Sequence, residues 1–120
     1  MARLPARARL FLVTDLLTDA DPARLARAAG RGLSGAILHL RDPDTFSPPS
    51  EGLVEAVDAE TGERRVVRWT PDRAERVARR AAAHVERWVH AARAAGLAVL
   101  PFAPATAPED LLARLALEVP

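Results

Sequence analysis

The residues best suited to chemistry in this sequence are carboxylates grouped behind two apolar runs. Asp15, Asp19 and Asp21 follow Arg9-Leu-Phe-Leu-Val-Thr14, and Asp42 and Asp44 follow Ala36-Ile-Leu-His-Leu40. Thr14 and Thr18 add hydroxyl oxygens beside the first group. Hard oxygen donors of this kind suit Mg²⁺ or a similar cation, so Asp15 is the candidate metal ligand, and Thr14, Asp19, Asp42 and Asp44 are candidate rim residues. Four of the carboxylates also have a structural explanation. Asp21 precedes Pro22 as a helix cap, Asp42 and Asp44 sit in a turn-forming segment, and Asp19 reads as solvated. Asp15 is the exception, because it stands directly against a strand expected to be buried.

The remaining chemistry-bearing patterns are weaker. Gly30-Arg-Gly32-Leu-Ser-Gly35 has the letters of a dinucleotide fingerprint, but that motif works only where it follows a strand and opens a helix. Here it closes a helix and leads into a strand, so it reads as a helix stop and a tight turn. Arg73, Arg76, Arg80 and Arg87, with His84 among them, fall on one face of a long helix and read as its solvated face, with Glu75 and Arg79 as an ordinary i,i+4 pair. His84 and His90 do not share a face and make a poor metal pair. His39, Trp69 and Trp88 read as core residues.

Composition narrows the chemistry further. The 120 residues contain no Lys, Cys, Tyr, Asn or Gln, and all 17 basic residues are Arg. A Walker-type phosphate lysine, a Schiff-base lysine, a thiol nucleophile, a disulfide and cysteine-ligated zinc are therefore excluded. A net charge of +1 gives no electrostatic case for nucleic acid. The N-terminal apolar run is broken by Asp15 and is too short for a signal-peptide core or a membrane span, so a cytoplasmic location is expected.

The elements that must position these residues alternate in type. Arg9 to Thr14 reads as a strand buried on both faces, Asp21-Pro22 opens a helix containing Leu25, Ala28 and Ala29, and Ala36 to Leu40 is a second buried strand. Strand, helix, strand implies a parallel crossover. Phe46 to Ser50 is a loop. Leu53 to Val57 and Glu63 to Trp69 flank Asp58-Ala-Glu-Thr-Gly62 as a hairpin. Thr70-Pro71 starts a long helix with the core stripe Val77, Ala81, Val85, Trp88, Val89 and Ala92, stopped by Gly96. Leu97 to Leu100 is the third parallel strand. Thr106 and Glu109 form a capping-box pattern for a last helix whose apolar face is Leu111, Leu112 and Leu115.

Several stretches in this order resemble the family known as domain of unknown function 58, a branch of the von Willebrand factor A-like domains. They are Leu10 to Asp15, Leu38 to Pro43, Asp58 to Glu63, the Arg-rich helix with His84, Ala95 to Leu100, and Thr106 to Leu111. The resemblance implies that the chain is the later half of such a domain. The first half normally carries an Asp-x-Ser-x-Ser metal motif, which does not occur here. Of that metal site, only Asp15 carries over. The resemblance also implies a binding module rather than an enzyme, acting with a MoxR-type AAA+ ATPase. The expected architecture is a three-layer, Rossmann-like α/β half-domain spanning 1–120, with a three-stranded parallel sheet and an inserted β-hairpin. The alternative function is a small Mg²⁺-dependent phosphoryl-transfer or hydrolytic enzyme using Asp15 with Asp42 or Asp44. In a half-domain the first strand lies at a sheet edge, so self-association through it, or pairing with a separate first-half chain, is expected.

Overall fold

The computed structural model describes residues 7–29, 33–43 and 51–119. In chain order the elements are β1 (Arg9–Thr14), α1 (Ala23–Ala29), β2 (Ser34–Leu40), β3 (Gly52–Val57), β4 (Arg64–Trp69), α2 (Pro71–Ala94), β5 (Ala98–Phe102) and α3 (Pro108–Glu118). A three-stranded parallel sheet runs in the order β1-β2-β5, and β3 and β4 form a separate antiparallel hairpin. Mixed α/β architecture with an inserted hairpin is therefore present as expected. The chain divides into two compact units, one within Met1–Asp42 and His84–Pro120, the other within Pro43–Ala83. Asp44, the 46–50 loop and the Gly30-Arg-Gly32 helix stop lie outside the described residues.

In the first unit β2 is central because its sequence is apolar on both sides of the pleat. Ile37, fully buried, packs on one face with Leu16, Leu33, Trp88, Ala92 and Leu97, joined by Leu25 of α1. Ala36 and Leu38 pack on the other with Leu100 and with Leu111, Leu115 and Val119 at α3. A continuous apolar strand is stable only when both of its faces are covered, and here helices supply the cover on each. Full burial of an Ile contributes about 1.5–3 kcal/mol, so β2 contributes to two cores at once. Trp88 is a core residue as expected, and its indole Nε1 has no hydrogen-bond partner among the described residues.

β1 lies at the sheet edge, as the half-domain reading expects, but it is not buried on both faces as its apolar run suggests. It pairs with β2 from Arg9↔Ser34 to Thr14↔His39, but Phe11, Leu12 and Val13 stay 47, 36 and 63% exposed. Its apolar composition is that of a strand covered on both faces. Yet β1 is an outer strand, and among the described residues only β2 flanks it. The pairing depends on one glycine. A Cβ on Gly35 would overlap the carbonyl oxygen of Leu10 across the ladder, so only glycine lets the two backbones approach.

In the second unit, the hairpin is closed by Asp58. Its Oδ1 accepts from the amides of Glu60 (2.8 Å) and Thr61 (2.9 Å), its carbonyl accepts from Gly62 N–H (2.8 Å), and its own N–H donates to Glu63 O (2.8 Å). These amide bonds hold the Asp58 carboxyl below the usual carboxylate range. Gly62, at φ 73°, takes the left-handed turn position for which the sequence supplies glycine.

The helix ends differ in how well local rules hold. Thr70 Oγ1 accepts from Arg73 N–H (3.2 Å) at the start of α2, and Leu97 N–H donates to Ala92 O (2.9 Å) at its close. The expected capping box at α3 does not form. Ala107 is the cap residue, no side chain caps it, and Thr106 Oγ1 instead accepts from Ala103 N–H (3.1 Å). Pro108, suited to the first helical position, starts the helix one residue later than the box requires, so Glu109 is a residue too early to reach back. Leu111 and Leu115 face the core as expected, while Leu112 is 64% exposed.

Two glycine substitutions separate these constraints. Gly35→Ala should cost about 3 kcal/mol or more, because backbone blocks the new methyl. Gly62→Ala meets no atom within 4 Å and should cost only about 1 kcal/mol of conformational strain. Urea denaturation of both variants measures the difference.

Candidate functional site

The C-terminal ends of parallel strands open on one edge, where Thr14 ends β1 opposite His39 of β2, with Asp15 following β1 and Arg41 and Asp42 following β2. The segment leaving β1 is built from short side-chain-to-backbone turns. Thr14 Oγ1 accepts from Leu16 N–H (3.0 Å), Asp15 Oδ1 from Leu17 N–H (2.9 Å), and Thr18 Oγ1 from Ala20 N–H (3.2 Å). Asp21 Oδ1 accepts from Ala23 N–H (2.9 Å), the cap role expected of it, and its other oxygen pairs with Arg27 at 3.2 Å. That amide bond is the main reason the Asp21 carboxyl lies below the usual range.

Leu16 is the residue that sequence reasoning missed. It is 2% exposed and sits at φ 60°, a conformation that costs a non-glycine residue about 1–3 kcal/mol. Its side chain is buried in the core, and its carbonyl accepts from His84 Nε2 at 2.8 Å. Arg87 Nη2 lies 3.3 Å from His84 Nδ1. A guanidinium only donates and a carbonyl only accepts, so this pair of contacts assigns the proton of neutral His84 to Nε2. His84 therefore ties α2 to the loop after β1, whereas its sequence neighbours suggested only a solvated Arg face. Glu75 and Arg79 do form the expected exposed i,i+4 pair, at 3.5 Å.

His39 is a buried core histidine, as expected, 5% exposed and opposite Thr14 in the ladder. Its removal from water is the largest influence on its pKa and lowers it, and Arg41 lowers it further. A hydrogen bond with the Asp15 backbone and the Asp15 charge oppose the shift without reversing it. The Asp15 side chain is exposed, as are Asp19 and Asp42. Among the described residues no group of three or more His, Asp or Glu side chains could hold a metal ion, so they do not fit a metal centre by themselves.

A second surface lies on the β1 side of the sheet. Arg9 and Phe11 form a shallow groove of about 180 Å³ with Leu112, Leu115, Ala116 and Val119. Phe11, Val13 and Leu112 are all largely exposed there, and Leu12 emerges on the opposite face of the same strand. Nothing in the residue types marked this groove in advance. Its signal is the apolar composition of a strand that has no neighbour on its outer side among the described residues.

A three-stranded parallel sheet with helices on both faces and a separate antiparallel hairpin define a mixed α/β protein. Residues 2–89 match the family described as "Protein of unknown function DUF58", and the chain belongs to that family. The match covers the segments from β1 through most of α2 and ends before β5 and α3. No curated protein and no solved structure matches the chain. No helix among the described residues is long and apolar enough to cross a membrane.

The His39 environment predicts a pH dependence with a definite sign. Its lowered folded-state pKa means that the unfolded chain binds the proton more readily. The stability from neutral His39 is thus fully present above the ordinary imidazole value of about 6.5 and is lost as pH falls below it. Unfolding free energy measured between pH 8 and 5 should fall with acidity, and His39→Leu should flatten that slope. Asp21 and Asp58 act separately, losing their contribution only below about pH 4.

Proposed function

We propose that this chain is a protein-interaction module, the later half of a von Willebrand A-like domain, and that β1 is its docking edge. The observation that carries this reading is the outward exposure of Phe11, Leu12 and Val13 on a strand whose composition is that of a buried one. A strand edge offers unpaired amides and carbonyls to an added strand, and alternate side chains give the contact its specificity. The topology supports the half-domain reading, since three parallel strands with helices on both faces and an inserted hairpin suit the later part of such a domain. The family resemblance supplies the partner class, a MoxR-type AAA+ ATPase.

A metal-dependent form of this interaction would take Asp15 from this chain and its other ligands from the partner or a separate first half, with Mg²⁺ the cation that such oxygen donors suit. Thr14 and Asp42 would then act as rim groups rather than ligands.

Isothermal titration of the purified chain against a MoxR-type ATPase from the same organism tests the proposal. Binding in the micromolar range or tighter is expected, and Val13→Asp should weaken it at least tenfold while leaving the circular dichroism spectrum unchanged. Absence of binding would contradict the proposal. So would a Mg²⁺-dependent phosphatase activity of the chain that disappears in Asp15→Ala.

A further inference from the structure

We infer that residues 51–83 form a separately melting unit, which opens while the parallel sheet stays folded, and that the opening runs along α2 only as far as His84. The inference is independent of the docking role given to β1.

Burial is divided unevenly along the chain. Every buried residue among those described belongs to the sheet unit, and none lies between 51 and 83. In the hairpin unit Val54 and Val67, opposite each other in the ladder, are half-buried, as are Trp69, Val77 and Ala81. Leu53, Val57 and Val66 are largely exposed. A two-stranded hairpin is marginal in water unless an apolar face is well covered. Isolated helices shorter than about 12–15 residues are marginal too, and the stretch of α2 from Pro71 to Ala83 is no longer than that.

The bonds that hold this unit are local. Asp58 closes the turn through the amides of Glu60 and Thr61, Arg64 pairs with Glu55 (3.3 Å), Arg65 pairs with Glu63 (2.8 Å), and Thr70 caps α2. Arg73 Nη1 donates to Arg68 O (3.0 Å), joining the helix start to β4. The partners in these contacts stand at most nine positions apart in sequence. Both ion pairs are exposed to solvent, where such pairs add little.

α2 therefore changes character along its length. Up to Ala83 its apolar stripe is half-buried at best. At His84 the anchoring begins, because Nε2 donates to Leu16 O at 2.8 Å, and beyond it Trp88 and Ala92 are buried with Leu16 and Ile37. An opening that starts in the hairpin can unwind α2 turn by turn until it meets His84. Unwinding further would break the bond to Leu16 and expose Trp88. The moving elements of proteins are drawn from units of low local stability, so the hairpin unit is the part of this chain able to change shape without loss of the sheet.

Trp69 and Trp88, the chain's two tryptophans, fall one in each unit. Labelling the full chain with a fluorinated tryptophan gives each unit its own fluorine resonance within one wild-type molecule. In a urea titration the Trp69 resonance should reach its unfolded position at a lower midpoint than the Trp88 resonance. Asp58→Ala should lower the Trp69 midpoint further and leave the Trp88 midpoint unchanged. Amide protection factors in wild-type α2 should be at least tenfold lower from Val77 to Ala83 than from Trp88 to Ala92. Coincident midpoints in the wild type, an equal shift of both midpoints in Asp58→Ala, or uniform protection from Val77 to Ala92 would each overturn the inference. The wild-type midpoints and protection factors decide the matter even if Asp58→Ala fails to fold.

Discussion

Most of the sheet unit depends on the burial of β2 on both of its faces. Ile37 and Ala36 are fully buried on opposite sides of the same strand, and each side needs a helix to exclude water. α2 meets that need on the Ile37 face through Trp88 and Ala92, and α3 meets it on the other face through Leu111 and Leu115. β5 then completes one flank of β2, with Leu100 beside Leu38. β1 completes the other, but only as closely as Gly35 permits. The asymmetry of the unit follows from this arrangement. β2 has a strand on either side, while β1 has one strand neighbour among the described residues and carries three exposed apolar side chains in sequence.

The loop after β1 shows how the core reaches the functional edge. Leu16 is buried, left-handed and held through its carbonyl by His84 of α2. An unfavourable backbone conformation persists because burial of the side chain and a 2.8 Å hydrogen bond act on the same residue. The consequence is positional. Asp15, one residue earlier, is held at the strand end by an anchored neighbour, with its carboxylate exposed and its backbone bonded to His39. A carboxylate held at the strand end in this way is suited to recognition.

Features that obey local chemistry were legible in the sequence. The hairpin followed from Asp58 and Gly62, the start of α2 from Thr70-Pro71, and the parallel strands from their apolar runs. Features that depend on distant partners were not. Gly35 sat inside a motif that suggested a turn, and its role appears only when Leu10 is brought beside it. His84 resembled one member of a charged stripe, because nothing local predicts a carbonyl 68 residues away. β1 reads as buried on both faces because composition reports what a strand is suited to contact, not whether that contact lies within the chain. The capping box at α3 failed for a local reason, since Pro108 and the box favour starting points one residue apart. At the candidate site, Asp15 and Thr14 were placed correctly at the strand edge, while the groove between β1 and α3 needed the folded chain to become visible.

The central claim of the proposed function, that β1 is a docking edge, is tested most directly by amide hydrogen exchange resolved by residue. In the free chain the amides of Phe11 and Val13 should exchange quickly, while the β2 amides of Ile37 and His39 remain protected. With a saturating MoxR-type ATPase added, the Phe11 and Val13 amides should become protected as well, with β2 unchanged. If Phe11 and Val13 are already as protected as β2 in the free chain, their outer side is occupied within the chain and the account of β1 as a docking edge is wrong.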